Sequence, residues 1–237
     1  MVFIHGFMGS PNQFADLAEA VQSLGGGTVS LLLPGHGAGM EELAKARACH
    51  WQNHVQKEIE NIRAACKKIF LVGHSMGALL ALNASLVKEN RISGLVLIAA
   101  PLKVHLFHPR SLFRKLRLIL FRKQHKVKAA YIQSNSLQTS GILSCLLAIR
   151  PMLEVYRLAK KTRKGLGEVS VPVYMFHSKK DETSAYKSAA LLYAGLKNTE
   201  RRLFPLEKSW HAFYDAEERK TIKKELLAFI LHPTGQV

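Results

Sequence analysis

The pentapeptide Gly73-His74-Ser75-Met76-Gly77 contains the residue best suited to do chemistry. It has the form G-x-S-x-G and lies between an apolar run, residues 69–72, and an Ala- and Leu-rich helical pattern. In that context a sharp strand-to-helix turn projects the serine hydroxyl above a sheet, and the glycines let strand and helix approach each other. The next amide, of Met76, opens the helix and points at a developing oxyanion. The spacing therefore predicts Ser75 as a nucleophile and Met76 as an oxyanion-hole donor.

A serine hydroxyl needs a base, and the base needs an acid to orient it. Around this motif the chain order is serine, then an acid after a late strand, then a histidine before the last helix. Asp181 lies five residues past an apolar run that ends at Phe176, and His211 precedes the last helical pattern. The sequence thus predicts a Ser75, Asp181 and His211 triad. Glu182, beside Asp181, remains open as the alternative acid.

A second oxyanion donor is expected after the first strand, where the sequence reads His5-Gly6-Phe7. The amide of Phe7 is the natural candidate. His74 lies next to the nucleophile but on the wrong side of the turn to act as its base, so a structural role is predicted. His5 and His36 lie in glycine turns and are expected to make hydrogen bonds that shape loops.

The elements that must position these residues follow from hydrophobic periodicity. Strands are predicted at 2–4, 28–33, 69–72, 94–99, 171–176 and 202–204, and helices at 11–24, 50–66, from Met76 to about 88, and 216–231. Strands that alternate with helices indicate an α/β fold with a mainly parallel sheet of about six strands flanked by helices. Neither an internal repeat nor a low-complexity linker is visible.

The stretch 101–168 breaks this alternation. It has a helical pattern, lies between the fourth and fifth predicted strands, and is too long for a simple crossover. We predict a helical cap insertion at 101–168, with residues 1–100 and 169–237 forming the core.

Charge is the most unusual feature of the composition. Thirty-four Lys and Arg against 17 Asp and Glu give a formal net charge of +17, a balance that favours anionic partners. No nucleic-acid-binding motif is present, so nucleic acid is not a predicted partner.

The cap carries much of this charge. Eleven Lys and Arg and no acid lie between Asn90 and Leu153. On a helix, residues 110–123 would place an apolar arc opposite most of their cations: Leu112, Phe113, Leu116, Ile119 and Leu120. Three interpretations stay open: a solvated basic face, contact with an anionic membrane, or recruitment of anionic substrates.

The cysteines and the N-terminal segment bear on the compartment. Cys49, Cys66 and Cys145 are an odd number without metal-site spacing, so we expect neither a disulfide framework nor a metal centre. The N-terminal segment lacks the features of a signal peptide, and no run reaches the ~18 apolar residues of a membrane-spanning helix. These observations predict a soluble, cytoplasmic protein, and 237 residues suit one domain with one insertion.

Five motifs together resemble a known family. They are His5-Gly6-Phe7-Met8-Gly9, Leu33-Pro34-Gly35-His36-Gly37, the G-x-S-x-G motif, Lys180-Asp181-Glu182 and Trp210-His211. In order and spacing they are similar to small bacterial carboxylesterases and monoacylglycerol lipases of the α/β-hydrolase superfamily, over nearly the whole chain except the cap. The resemblance implies two-step hydrolysis of a small-molecule acyl ester through an acyl-enzyme, without a cofactor. One departure is Thr183-Ser184, where many members have an apolar residue and a proline.

Other activities remain as alternatives. An acyl thioesterase would suit the basic cap, because its substrates are anionic. An aminopeptidase or amidase would need acids in the cap to hold a substrate amine, and the sequence offers none before Glu154. A non-catalytic binding protein would not need the triad, and dehalogenases and epoxide hydrolases of this fold use an Asp where this chain has Ser75. The substrate-binding residues, acyl chain length and alcohol portion are not predicted.

Overall fold

The apolar runs of the sequence form one parallel sheet. The computed structural model describes residues 1–103 and 141–232. The strands are β1 Val2–Ile4, β2 Val29–Leu31, β3 Ile69–His74, β4 Ile92–Ile98, β5 Val173–Ser178 and β6 Arg201–Leu206. Their order is β2-β1-β3-β4-β5-β6, and each neighbouring pair is parallel. The predicted α/β fold with six strands is confirmed.

The helices cover both faces of this sheet. They are α1 Ala15–Gln22, α2 Met40–Lys45, α3 Ala48–Arg63, α4 Met76–Ser85, α5 Gly141–Gly165, α6 Lys187–Gly195 and α7 Ala216–Leu231, with 3₁₀ turns at Pro11–Phe14, Lys88–Asn90 and Leu166–Glu168. The last helix has its predicted bounds. The helix predicted at 11–24 begins instead as a 3₁₀ turn, and α2 and α6 were not predicted because each is too short to show a full apolar period.

Side chains of each strand alternate between two cores. In β3, Ile69 and Leu71 pack with Trp51, Val55 and Ile59 of α3 on one face. Phe70 and Val72 pack on the other face with α1 and α7, whose buried residues include Leu17, Val21, Ile222, Leu226 and Phe229. Because both faces are covered, β3 and β5 are buried along their whole length.

The strand order reverses between β1 and β3. The chain runs from β1 outward to β2 at the edge and then returns to β3 on the other side of β1. At such a switch point the carboxyl ends of neighbouring parallel strands leave a crevice between them. Ile4, the last residue of β1, is in register with Gly73 of β3. The segments after these two strands, His5-Gly6-Phe7 and the G-x-S-x-G motif, therefore meet at this crevice.

Of the predicted cap, residues 101–103 and 141–168 lie within the described part of the chain. There, α5 is helical as its pattern indicates, and it packs on α2 and α4. The amphipathic segment 110–123 lies outside the described residues, and the domain bounds stay a prediction. The outer face of α5 exposes four large apolar side chains: Leu146, Ile149, Leu153 and Tyr156. Among the described helices, none is long and apolar enough to cross a bilayer.

Candidate active site

Ser75 occupies a strained turn at the end of β3. Its backbone has φ 52° and ψ −119°, a conformation that costs a non-glycine residue about 1–3 kcal/mol and persists only where its surroundings impose it. The Ser75 amide donates to the Ile98 carbonyl of β4 at 2.9 Å. Met76 immediately begins α4. The predicted strand–turn–helix setting of Ser75 is therefore present.

The two glycines of the motif lie where no side chain could fit. A Cβ added at Gly73 would be 2.4 Å from the Gly77 carbonyl oxygen, and one at Gly77 would be 1.9 Å from the Ile4 carbonyl oxygen. A Cβ at Gly6 would come within 3.0 Å of the Ser75 Cβ. The loop after β1 thus passes directly beside the serine, and the glycines allow β1, β3 and α4 to meet there.

The three side chains of the predicted triad form one hydrogen-bonded chain. The Ser75 Oγ lies 2.9 Å from the His211 Nε2, and the His211 Nδ1 lies 2.8 Å from an Asp181 carboxylate oxygen, Oδ2. All three residues are buried. A carboxylate only accepts, so Nδ1 carries the proton and Nε2 is left to accept from the serine hydroxyl. This arrangement has the geometry of a nucleophile with its base and its orienting acid.

Backbone amides hold the other oxygen of Asp181. The amides of Thr183 and Ser184 donate to its Oδ1 at 2.8 and 2.7 Å. Burial acts to raise the pKa of Asp181, but nearby His211, its hydrogen bond, His177 and the Ser184 amide outweigh burial and lower that pKa. A proline at 184 could not donate. The departure from the family pattern therefore adds a hydrogen bond to the carboxylate.

Glu182 contacts the main chain of the histidine. Its Oε2 accepts from the His211 amide at 3.1 Å, and its side chain is buried. The two neighbouring acids thus divide their contacts with His211. Asp181 holds the ring and Glu182 the backbone, so the geometry favours Asp181 over Glu182 as the orienting acid.

His74 holds the same histidine from the other side. The side-chain amide of Gln13 donates to its Nδ1 at 2.8 Å, so its Nε2 carries the proton and donates to the His211 carbonyl at 2.9 Å. Burial, with a further contribution from His211, lowers the pKa of His74 to about 3. His74 is therefore a neutral bridge to the His211 backbone, which fits the structural role predicted for it.

The loop after β1 presents the second predicted oxyanion donor. The Gly9 amide donates to the Gly6 carbonyl at 2.9 Å and closes a turn with Phe7 and Met8 at its centre. The Met8 amide donates to the His36 Nε2 at 3.1 Å. Within the described residues the Phe7 amide has no acceptor. Met76 is the first residue of α4. No earlier turn of the helix therefore supplies a carbonyl that could accept from its amide.

His5 and His36 join the loops that follow β1 and β2. The His5 Nδ1 donates to the Gly6 carbonyl at 2.8 Å, and its Nε2 accepts from the Leu33 amide at 3.1 Å. Burial lowers the pKa of His5 to about 3, with a further contribution from His36, and burial lowers that of His36 to about 4. Both histidines act as neutral hydrogen-bonding groups that shape loops, as their glycine turns predict.

Several residues around the triad could not be predicted from the sequence. Gln13 contacts His74 from 61 residues away, and the Tyr214 hydroxyl donates to the His211 carbonyl at 3.3 Å. His177 donates to the Ser184 carbonyl at 3.2 Å, and its Nε2 lies 3.9 Å from the Asp181 Oδ2. No local pattern marks them, because each is placed by the packing of separate elements.

Comparison with known proteins identifies similar chains. A family model described as "Serine aminopeptidase, S33" matches residues 1–218. A thermostable monoacylglycerol lipase from Bacillus sp. (strain H-257) is 24% identical over 234 residues, which cover 98% of this chain and 90% of the lipase.

Solved structures show the same fold. One of the metagenome-derived lipolytic enzymes LipS and LipT has a TM-score of 0.77 at 23% identity, over 97% of this chain and 92% of that one. The monoacylglycerol lipase of Paleococcus ferrophilus has a TM-score of 0.71 at 18% identity, over 96% and 93%.

The different roles of Asp181 and Glu182 can be tested by replacing each acid with its amide. We expect Asp181→Asn to lower the turnover of a p-nitrophenyl ester about 10²- to 10⁴-fold, because the amide favours the wrong histidine tautomer. Glu182→Gln keeps an oxygen that can accept from the His211 amide, so it should lower the turnover less than about tenfold. Steady-state kinetics of both variants measure this. A larger loss in Glu182→Gln than in Asp181→Asn would identify Glu182 as the orienting acid.

The neutral histidines predict a loss of stability in mild acid. The pKa values of His5, His36 and His74 in the folded protein lie below the unfolded value of about 6.5. Their contribution to the free energy of unfolding is complete above about pH 6.5. It is lost as the pH falls toward their pKa values in the folded protein. Between pH 7 and pH 5 each should lower the free energy of unfolding by about 2 kcal/mol.

Urea unfolding at the two pH values measures this loss. His36→Gln should reduce the pH dependence by about one histidine's share, whereas His50→Gln, which alters an exposed side chain, should leave it unchanged. The carboxyl of Asp181 also contributes stability that is lost as the pH falls, but at lower pH, since its pKa is lowered from that of an ordinary carboxyl. Equal stability of the wild type at pH 7 and pH 5 would contradict the prediction.

Proposed function

Because the chain belongs to the α/β-hydrolase family described as serine aminopeptidase, S33, we propose that it is a serine hydrolase that cleaves carboxylic esters. The observation that carries this proposal is the continuous hydrogen-bonded chain from Ser75 through His211 to Asp181. It lies at a strained strand-to-helix turn where two predicted oxyanion donors converge. The lipolytic names of the relatives support an ester as substrate.

In the first step the Ser75 Oγ attacks the ester carbonyl carbon while the His211 Nε2 takes the hydroxyl proton. The carboxylate of Asp181 stabilises the imidazolium that forms. The amides of Phe7 and Met76 stabilise the negative charge that develops on the carbonyl oxygen. His211 then gives its proton to the leaving alcohol, and the acyl group remains on Ser75.

In the second step a water molecule attacks the acyl-enzyme. His211 takes one proton from the water as the oxygen bonds to the acyl carbon, and the same amides stabilise the second oxyanion. Collapse of this intermediate breaks the bond to Ser75 Oγ, which recovers the proton from His211. The carboxylic acid leaves, and the triad returns to its starting state.

One acid in the described part of the cap bears on the aminopeptidase alternative. Glu154 is the first acid after the acid-free stretch. Its carboxylate accepts from the Ala48 amide at 3.2 Å and pairs with Arg157. An aminopeptidase needs a carboxylate that can bind the substrate amine, and Glu154 is already engaged in two other contacts. We therefore favour an ester substrate, and keep an acyl thioesterase as the alternative that the net charge leaves open.

The test combines a nucleophile variant with a panel of substrates. We expect the wild type to hydrolyse p-nitrophenyl esters of graded chain length faster than an acyl-coenzyme A or an aminoacyl anilide. Ser75→Ala removes only a hydroxyl, so it should abolish turnover and fluorophosphonate labelling while urea unfolding stays cooperative. Labelling at another residue, or retained turnover in Ser75→Ala, would refute the assignment. Preferential cleavage of the thioester or the anilide would select an alternative substrate class.

We further propose that α5 contacts the surface of an anionic lipid aggregate. Its exposed apolar row, Leu146, Ile149, Leu153 and Tyr156, repeats at helical spacing. Exposed cations lie along one side of this row, at Arg150, Arg157 and Lys161. An apolar row flanked by cations suits the interface of a negatively charged lipid layer. Such contact would bring the site to an ester that is held in the lipid layer.

Vesicle sedimentation tests this contact. The double variant Leu153→Ser/Tyr156→Ser should bind less to vesicles that contain anionic phospholipid, and wild-type binding should weaken as salt rises, since exposed charges are screened. The matched control is Leu24→Ser/Leu231→Ser, which alters exposed apolar residues outside α5. Equal binding of both double variants and the wild type would contradict the proposal.

A further inference from the structure

The loop between β6 and α7, residues 207–215, carries His211 and is gathered around one carboxylate. Glu218 lies in the first turn of α7. Its Oε1 accepts from the amides of Glu207 and Lys208 at 2.6 and 2.9 Å. Its Oε2 accepts from the Ser209 amide at 2.8 Å and from the Ser209 hydroxyl at 2.5 Å. Three consecutive residues of the loop are therefore tied to a single side chain.

Ser209 joins this loop to several other parts of the fold. It is fully buried, and its hydroxyl also accepts from the Asp215 amide at 3.1 Å. Its carbonyl accepts from the Ser178 hydroxyl at the end of β5. Ser209 is thus joined to β5, to the start of α7 and to Glu218, and it precedes His211 by only two residues.

The surroundings of Glu218 favour an ionised carboxylate over a neutral side chain. A carboxylate offers about four acceptor sites, and here four N–H and O–H groups point at them. Burial acts to raise the pKa of Glu218, but the hydrogen bonds from Ser209, Lys208 and Glu207 outweigh it and lower that pKa. A glutamine has one acceptor oxygen and an NH₂ donor, so it cannot satisfy the same set.

We propose that Glu218 is a positioning residue for the base: through Ser209, its carboxylate sets the position of His211 relative to Ser75. The inference rests on the proposed function, because it assumes that His211 activates Ser75. The distances to be held are 2.9 Å from the Ser75 Oγ and 2.8 Å from the Asp181 Oδ2. A displacement of about 1 Å at such a site can cost on the order of 10²-fold in rate.

The chain offers a matched pair of substitutions in one helical turn. Glu218→Gln removes the carboxylate that holds the loop. Glu217→Gln removes the same charge from the neighbouring residue, whose exposed carboxylate pairs with Lys220 at 2.8 Å. Any effect of net charge or of the helix terminus is common to both variants, so a difference between them reports on the contacts with residues 207–209.

The rate at which a fluorophosphonate modifies Ser75 is the primary measurement. In this reaction the Ser75 Oγ bonds to phosphorus, fluoride leaves, and His211 takes the hydroxyl proton, so the rate reports on the base without the ester substrate. We expect Glu218→Gln to slow it about 10- to 100-fold and Glu217→Gln to leave it within about twofold. With a p-nitrophenyl ester, kcat should fall by a similar factor while KM stays unchanged.

Ser209→Ala tests the same contact from its other side, because it removes the hydroxyl and keeps the Glu218 carboxylate. It should slow phosphonylation about fivefold, the effect of one lost hydrogen bond. Combined with Glu218→Gln it should add little, because the carboxylate that accepts from the Ser209 hydroxyl is already gone. Ser209→Ala also makes the test independent of whether Glu218→Gln folds.

The outcomes separate this inference from the proposed function. If the wild type is phosphonylated at Ser75 but cleaves no ester, the proposed substrate class fails, and the labelling rates of the variants still test Glu218. If the folded Glu218→Gln variant reacts at the wild-type rate, Glu218 does not position His211, whatever the substrate. Fully additive effects of Ser209→Ala and Glu218→Gln would also overturn the inference.

Discussion

The close approach of α4 to the end of β1 is the constraint on which the site depends. A Cβ at Gly77 would lie 1.9 Å from the Ile4 carbonyl oxygen, so the backbones touch with nothing between them. This contact places the first turn of α4 beside the loop that follows β1. The amides of Met76 and Phe7, separated by 69 positions in sequence, consequently reach the same crevice as Ser75. The parallel register of β1 with β3 makes the approach possible.

His211 is held by a different principle, because it lies on a loop with no strand register to fix it. Side chains hydrogen-bond to both backbone groups of His211: Glu182 accepts from its amide, and His74 donates to its carbonyl. Its ring is left to bridge Asp181 and Ser75. The loop itself is tied to the start of α7 through Ser209. The nucleophile thus owes its position to backbone packing, and its base owes its position to buried polar side chains.

These two principles explain how much the sequence could predict. The strands, the Ser75 turn and the order of the triad residues follow from local patterns, because apolar runs and glycine spacing are visible in short windows. The short helices α2 and α6 carry too few residues for such a pattern. Gln13 and Glu218 act across the fold, and their partners are known only once the elements have packed. Asp181 and Glu182 were hard to separate for the same reason, since adjacent acids differ only in which part of His211 they reach.

The strained backbone of Ser75 has a consequence for folding. A serine at φ 52° is sparsely populated in an isolated chain segment, because the conformation costs about 1–3 kcal/mol without imposed contacts. Here those contacts come from β4, through the Ile98 carbonyl, and from β1, through the approach of Gly77 to Ile4. The turn is therefore held in this conformation only once three strands and α4 have assembled. Recovery of a reactive serine during refolding would then mark the completion of the central sheet, and compact intermediates that lack β1 or β4 would be chemically silent.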